Sequence, residues 1–321
     1  MMLGESAVRH LLPMPGCIGA MEKVFYAASR GDIVQPLRVI AWQPDKRGAV
    51  AAMPAYAGGD VGAKLITVFP QNRAHGLESH QGLVALFETQ TGNLLAIAHA
   101  GAVTAIRTAA VSGLATRLLA REDANDLALL GSGVQALEHL RAISCVRSLQ
   151  RVRIWSRTFA NAQEFAARHS TPALPIAACE SAEAAVRGAD LICTVTAATD
   201  PVLRGAWLKP GAHVNAVGSS VPPFRELDTE AVTRSRIFVD MRDCALRESD
   251  DLLEPIREGA ITESDIAGEL SQMVRGACEL RTSADETTLF KSVGMAIEDV
   301  AAVRLVYERA LQSGAAAYVD F

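Results

Sequence analysis

Residues 126–140 read DLALLGSGVQALEHL, and residues 151–158 read RVRIWSRT. The apolar run from Asp126 to Leu130 predicts a buried parallel strand, and an apolar-periodic helix opens at Val134. Between them Gly131, Gly133 and Ala136 stand at the G-x-G-x-x-A spacing. Glycines there let the backbone turn tightly and approach a pyrophosphate, whose charge rests on the N–H groups of the helix start. A second strand is predicted over Arg151 to Trp155. After it, where an acid would take the ribose 2′-hydroxyl of NAD, stand Ser156, Arg157 and Thr158. An acid would repel a 2′-phosphate, whereas Arg157 can pair with one. NADPH is therefore the expected cofactor, with NADH possible. Thr158 and Asn161 either add hydrogen bonds to it or cap the next helix.

From that segment to about residue 240 the pattern is βαβ. Strands are predicted at 126–130, 151–155, 174–178, 190–196, 212–218 and 236–240, and helices at about 134–147, 159–168 and 181–188. Right-handed crossovers would make this a doubly wound parallel sheet. Before residue 103 the chain has a different character. Strand-like runs such as LRVIAW, AVAAMPAYAGG and AKLITVFP end in a hairpin with Thr91, Gly92 and Asn93 at its turn. An Ala-rich helix over Thr104–Ala120 links the two regions, and 289–313 (LFKSVGMAIEDVAAVRLVYERALQS) reads as one long amphipathic helix returning to the first. The expected layout is an α/β domain over 116–299, inserted into a discontinuous α+β domain of 1–115 plus 300–321.

Composition narrows the function classes. The chain has 321 residues, half of them hydrophobic, and a formal charge of −5 that offers no footprint for nucleic acid. No apolar run reaches the length of a membrane span, and the N-terminus lacks the pattern of a signal peptide. A cytoplasmic protein without membrane contact is expected. The six cysteines are scattered with no C-x-x-C pair, so they are expected to be reduced, mostly as small buried hydrophobes. The seven histidines show no ligand spacing, and no metal is expected.

Candidate site residues lie in both regions. CTVTAATDP carries Thr194 and Thr196, and NAVGSS carries Val217, Gly218, Ser219 and Ser220, each segment at the carboxyl end of a predicted strand. In the first region Arg38, Lys64, the Ser79-His80 pair and Arg107 stand out. Lys64 and Arg107 fall within apolar runs, where a cation needs a partner. An enzyme acting on a carboxylate needs such anchors, although cations that snorkel to solvent give the same pattern.

The stretches QPLR, MPAY, KLITVFP, ESHQG, IRTAAVSGLAT, LLGSGVQA, RIWSRT, KPGAHVNAVGSS, ALRESDDLL and TLFKSVGMAIEDVAA occur in order along the chain. In these the chain resembles the ornithine cyclodeaminase/mu-crystallin family over nearly its full length, and most closely its mu-crystallin-like branch. The resemblance implies a Rossmann dinucleotide domain, an NAD(P)-dependent oxidoreductase, and a homodimer formed through the first domain. It implies that Arg38, Lys64 and Arg107 hold the substrate carboxylate or approach the nicotinamide. Ser79 and His80 match cofactor-proximal positions, Gln135, Thr196, Val217 and Ser292 further cofactor contacts, and Glu248 a position near the substrate.

One departure bears on the reaction. Cyclodeaminases carry an Asp where this chain has Ser220, and a hydroxyl with no base beside it is a poor general base. The expected activity is thus NADPH-dependent reduction of a small cyclic imino acid. Lys64, Arg107 and Ser220 are its catalytic candidates. Alternatives are NAD-dependent ornithine cyclodeamination, an amino-acid dehydrogenase, or a non-catalytic protein that binds NADPH and a small carboxylate.

Overall fold

The protein is described from a computed structural model, which describes residues 1–69, 71–72, 76–314 and 317. Residues 318–321 of the expected first domain and Pro70, the end of the run AKLITVFP, lie outside them. The chain forms two compact units, one of Met1–Ala110 with Met295–Phe321 and one of Val111–Gly294.

The first unit is built on a mostly antiparallel sheet. Its strands are β1 (Met2–Leu3), β2 (Ile33–Val34), β3 (Val39–Trp42), β4 (Ala49–Ala57), β5 (Asp60–Val68), β6 (His80–Phe87) and β7 (Leu94–His99). They run in the order β1-β7-β6-β5-β4-β2, with β3 also on β4. β6 and β7 form the expected hairpin, and Gly92 in its turn takes a left-handed φ of 75°. Along β4 burial alternates strictly at Ala49, Ala51, Met53, Ala55 and Ala57, so one face is inside and the other outside. Helices α1 (Glu5–Leu11) and α2 (Met14–Ser29) belong to this unit. The chain then enters α3 (Ala100–Leu119), which crosses from the first unit to the second. This helix starts four residues before the predicted Thr104. His99 Nδ1 accepts the N–H of Ala102 and caps its first turn, a role that residue type rarely signals.

The second unit is a wholly parallel sheet. Its strands are β8 (Asp126–Leu130), β9 (Arg151–Trp155), β10 (Ile176–Cys179), β11 (Leu191–Thr194), β12 (His213–Ala216), β13 (Ser235–Val239), β14 (Ile266–Glu269) and β15 (Thr287–Lys291). The order is β10-β9-β8-β11-β12-β15-β13-β14, doubly wound about β8. Helices α4 (Val134–Val146), α5 (Phe159–His169), α6 (Ala182–Val186), α7 (Thr229–Thr233), α8 (Arg242–Glu248), α9 (Asp250–Arg257) and α10 (Leu270–Arg275) complete it. Leu127 and Leu129 face one apolar core and Ala128 and Leu130 the other, so β8 is buried on both sides.

Three expectations are corrected. The segment read as one long helix divides into β15, an irregular stretch at 292–295, and α11 (Ala296–Ser313) in the first unit. Thr287 to Lys291 is held as a strand by ladders to both β12 and β13, and Gly294 at φ 80° breaks the run. A helical period over a short apolar stretch does not exclude a buried strand. Strand β14 was not anticipated at all. Only some of the cysteines are interior: Cys17, Cys193 and Cys244 are buried, whereas Cys145 is exposed.

Candidate active site

In the second unit the candidate residues gather at the carboxyl ends of the strands. Gly131 leaves β8 with φ 116°, and a Cβ there would lie 2.7 Å from the carbonyl oxygen of Val195. Only glycine fits. Gly133 is the N-cap of α4, no side chain caps that end, and a Cβ on it would meet open space. Val134 is exposed beside it, and Gln135 Oε1 is buried without a partner among the described residues. A bare helix start with an unpaired acceptor suits a pyrophosphate and an adjoining donor.

Ser132 Oγ donates to Ser156 Oγ at 3.1 Å, tying this turn to the end of β9. Arg157 follows and is exposed. Thr158 is the N-cap of α5, but its side chain makes no capping bond. Val217 is buried, its N–H bonded to Thr194 O at 3.0 Å, and Ser292 donates its N–H to Ala216 O at 3.0 Å. Ser220 is half-buried, and Glu248 is buried at the end of α8. Thr196 is committed elsewhere, since its N–H and hydroxyl both donate to Glu226 Oε1.

The first unit brings together a buried ionic cluster. Lys64 lies on the inner face of β5, and Arg107 on α3. Helix α11 supplies Glu298 and Asp299 in its first turn, where the helix dipole favours acids. Lys64 Nζ is 2.7 Å from Asp299 Oδ2, and Arg107 Nε donates to Asp299 Oδ1 at 2.9 Å. Arg107 Nη1 also pairs with Glu298 Oε2. These four side chains are at most 4% exposed. Burial pushes the Lys64 ammonium down to about 8 against the attraction of Asp299, and the charges of Arg107 and Arg38 add to the fall. Burial opposes the charge on Arg107, but Asp299 and Glu298 outweigh it and raise its pKa.

Arg38 is half-buried and close enough for Lys64 to feel its charge. Among these five groups cations outnumber carboxylates by one. Ser79, buried just before β6, shares a 3.0 Å hydrogen bond with His80 Nδ1. Lys64 and Arg107 are therefore not snorkelling cations.

Several functional candidates escaped the sequence reading. Glu298 and Asp299 are the missing counter-ions, and the signal was there: two buried cations require acids, and MAIED offers a pair at a helix start. Buried Glu226, Asp240, Asp251 and Lys291 gave no such signal, because nothing nearby in sequence shows what they touch.

Over residues 1–314 the chain matches the profile of the ornithine cyclodeaminase/mu-crystallin family. It belongs to that family. Mouse ketimine reductase mu-crystallin is 42% identical over 280 residues, covering 87% of this chain and 86% of that protein. Among solved structures, the Thermococcus litoralis Δ1-pyrroline-2-carboxylate reductase bound to NADH and L-proline is 36% identical. It superposes with a TM-score of 0.95 over 98% of both chains. An archaeal alanine dehydrogenase dimer with bound NAD also gives 0.95, at 29% identity, over 100% of this chain and 99% of that one. This ornithine cyclodeaminase/mu-crystallin family member carries the bare helix start at Gly133 in its second unit and the buried cluster around Lys64 in its first.

Proposed function

We propose that this chain is an NADPH-dependent reductase of small cyclic imino acids, such as pyrroline- or piperideine-2-carboxylate. The observation that carries the reading is the buried Lys64–Asp299–Arg107 cluster with Arg38 beside it, a preformed cationic environment for a carboxylate. Arg107 and Arg38 anchor the substrate carboxylate, Arg107 being held in orientation by Asp299 and Glu298. Reduction of C=N adds a hydride to carbon and a proton to nitrogen. Bound NADPH supplies the hydride. Lys64, with its pKa near 8, holds a proton it can release at neutral pH and supplies it to the imine nitrogen. Ser79 and His80 are assigned to the cofactor. Gly131, Gly133, Val134, Gln135, Val217 and Ser292 are assigned to the cofactor as well, and Glu248 and Ser220 to the substrate.

The preference for NADPH rests on Ser156 and Arg157 directly after β9, in the place of an acid. Cyclodeamination is disfavoured by Ser220, a hydroxyl in the place of an acid. A homodimer is supported by the outer face of the first unit's sheet, where Val39, Val50, Tyr56 and Leu65 are exposed together. Six free cysteines fit a cytoplasmic location, and no helix of the described residues is long and apolar enough to cross a membrane. Steady-state assays of NADPH oxidation with both imines test the activity. Turnover well above background is expected, and none with either imine would sink the proposal.

A further inference from the structure

Glu226 sits at the carboxyl edge of the parallel sheet and is fully buried. Its Oε2 accepts the hydroxyl of Thr194 at 2.7 Å and the N–H of Gly218 at 2.6 Å. Its Oε1 accepts the N–H and hydroxyl of Thr196 at 2.6 and 2.7 Å. Two of these donors are backbone N–H groups, which cannot accept, so the set suits a carboxylate with four occupied lone pairs. Thr194 ends β11, and Gly218 lies two residues beyond the end of β12. One side chain therefore ties together the exits of two neighbouring strands.

Glu226 is itself held on every side. Asp251 Oδ1 accepts the N–H groups of Glu226 and Leu227 at 2.7 and 2.9 Å, and its Oδ2 pairs with buried Lys291 at 2.9 Å. The carbonyl of Glu226 accepts the N–H groups of Val202 and Leu203 at 2.8 and 2.9 Å. The glycine of NAVGSS is explained by the same packing. A Cβ on Gly218 would come within 2.4 Å of Glu226 Oε1 and 2.1 Å of the Thr196 carbonyl oxygen.

Strand order gives this edge its meaning. β9 flanks β8 on one side and β11 and β12 follow on the other, so the order reverses at β8. In such sheets a dinucleotide spans the reversal, with its 2′-phosphate half over the second strand and the other half beyond the first. We infer that Glu226 is a positioning residue for the nicotinamide half of the cofactor site, acting by fixing the strand exits at Thr196 and Val217–Gly218. The inference rests on the dinucleotide reading proposed above.

The test is Glu226→Gln, which keeps the volume but turns an amide NH2 toward one pair of donors and removes the charge. Binding of NADPH is compared by calorimetry with that of 2′,5′-ADP, which lacks the nicotinamide half. The variant is expected to bind NADPH at least about tenfold more weakly while its affinity for 2′,5′-ADP stays within about twofold, the loss of a charge-assisted contact confined to one half. Equal weakening of both ligands, or no change in either, would overturn the inference. If Glu226→Gln does not fold, Thr194→Val decides. It removes one donor from a buried position, and NADPH alone should weaken about threefold; unchanged NADPH binding, or parallel loss of 2′,5′-ADP, rejects it. Wild-type protein that binds neither ligand would instead refute the dinucleotide reading.

Discussion

Lys64 is a residue whose chemistry its surroundings alter strongly. In the unfolded chain it titrates near 10.5, and burial in the folded protein brings it to about 8. Between those values the unfolded state binds more protons, so stability rises as pH increases from 8 toward 10.5. As proton donor, Lys64 should impose an alkaline limb near pH 8 on kcat/KM. Asp299→Asn removes the charge that supports the ammonium, so the limb should move about one pH unit or more toward acid. An unmoved limb in a folded Asp299→Asn enzyme would remove Lys64 from that role. In the second unit, Arg157→Ala should weaken NADPH binding about tenfold and leave NADH nearly unchanged, as expected for loss of one exposed charge-assisted contact. Titrating both cofactors against both proteins measures this directly.

At the scale of elements, the two glycines of the β8–α4 turn serve different ends, and mutation separates them. Gly131→Ala places a Cβ against Val195 O at a φ that side chains rarely adopt. It should lower stability by roughly 1–3 kcal/mol, visible as a drop in melting temperature. Gly133→Ala meets nothing in the protein, so the melting temperature should hold while dinucleotide binding falls. Loss of stability in Gly133→Ala would contradict that division. This turn was legible in sequence because strand, glycines and helix are contiguous, and local sterics alone require them. The β15–α11 region was not. TLFK carries a strand's residues inside a helical period, and only its seat between β12 and β13 decides for strand.

For the whole molecule, the exposed row Val39, Val50, Tyr56 and Leu65 calls for a cover, since a sheet face this apolar is seldom left in water. Sedimentation should show a dimer, and Leu65→Lys combined with Val39→Lys should shift it to monomer. A wild-type monomer at micromolar concentration would argue against that face as an interface.

The dinucleotide turn, the change of character near residue 103 and the candidate cations Arg38, Lys64 and Arg107 were all determined by the sequence itself. Each depends on residues adjacent in the chain or on a run of one period. What the cations are was decided only in three dimensions. Arg107 meets Asp299 across 192 positions of sequence, and Glu226 gathers donors from two strands while Asp251 and Lys291 hold it from behind. A buried charge is defined by its partners, and long-range packing alone sets which partners arrive.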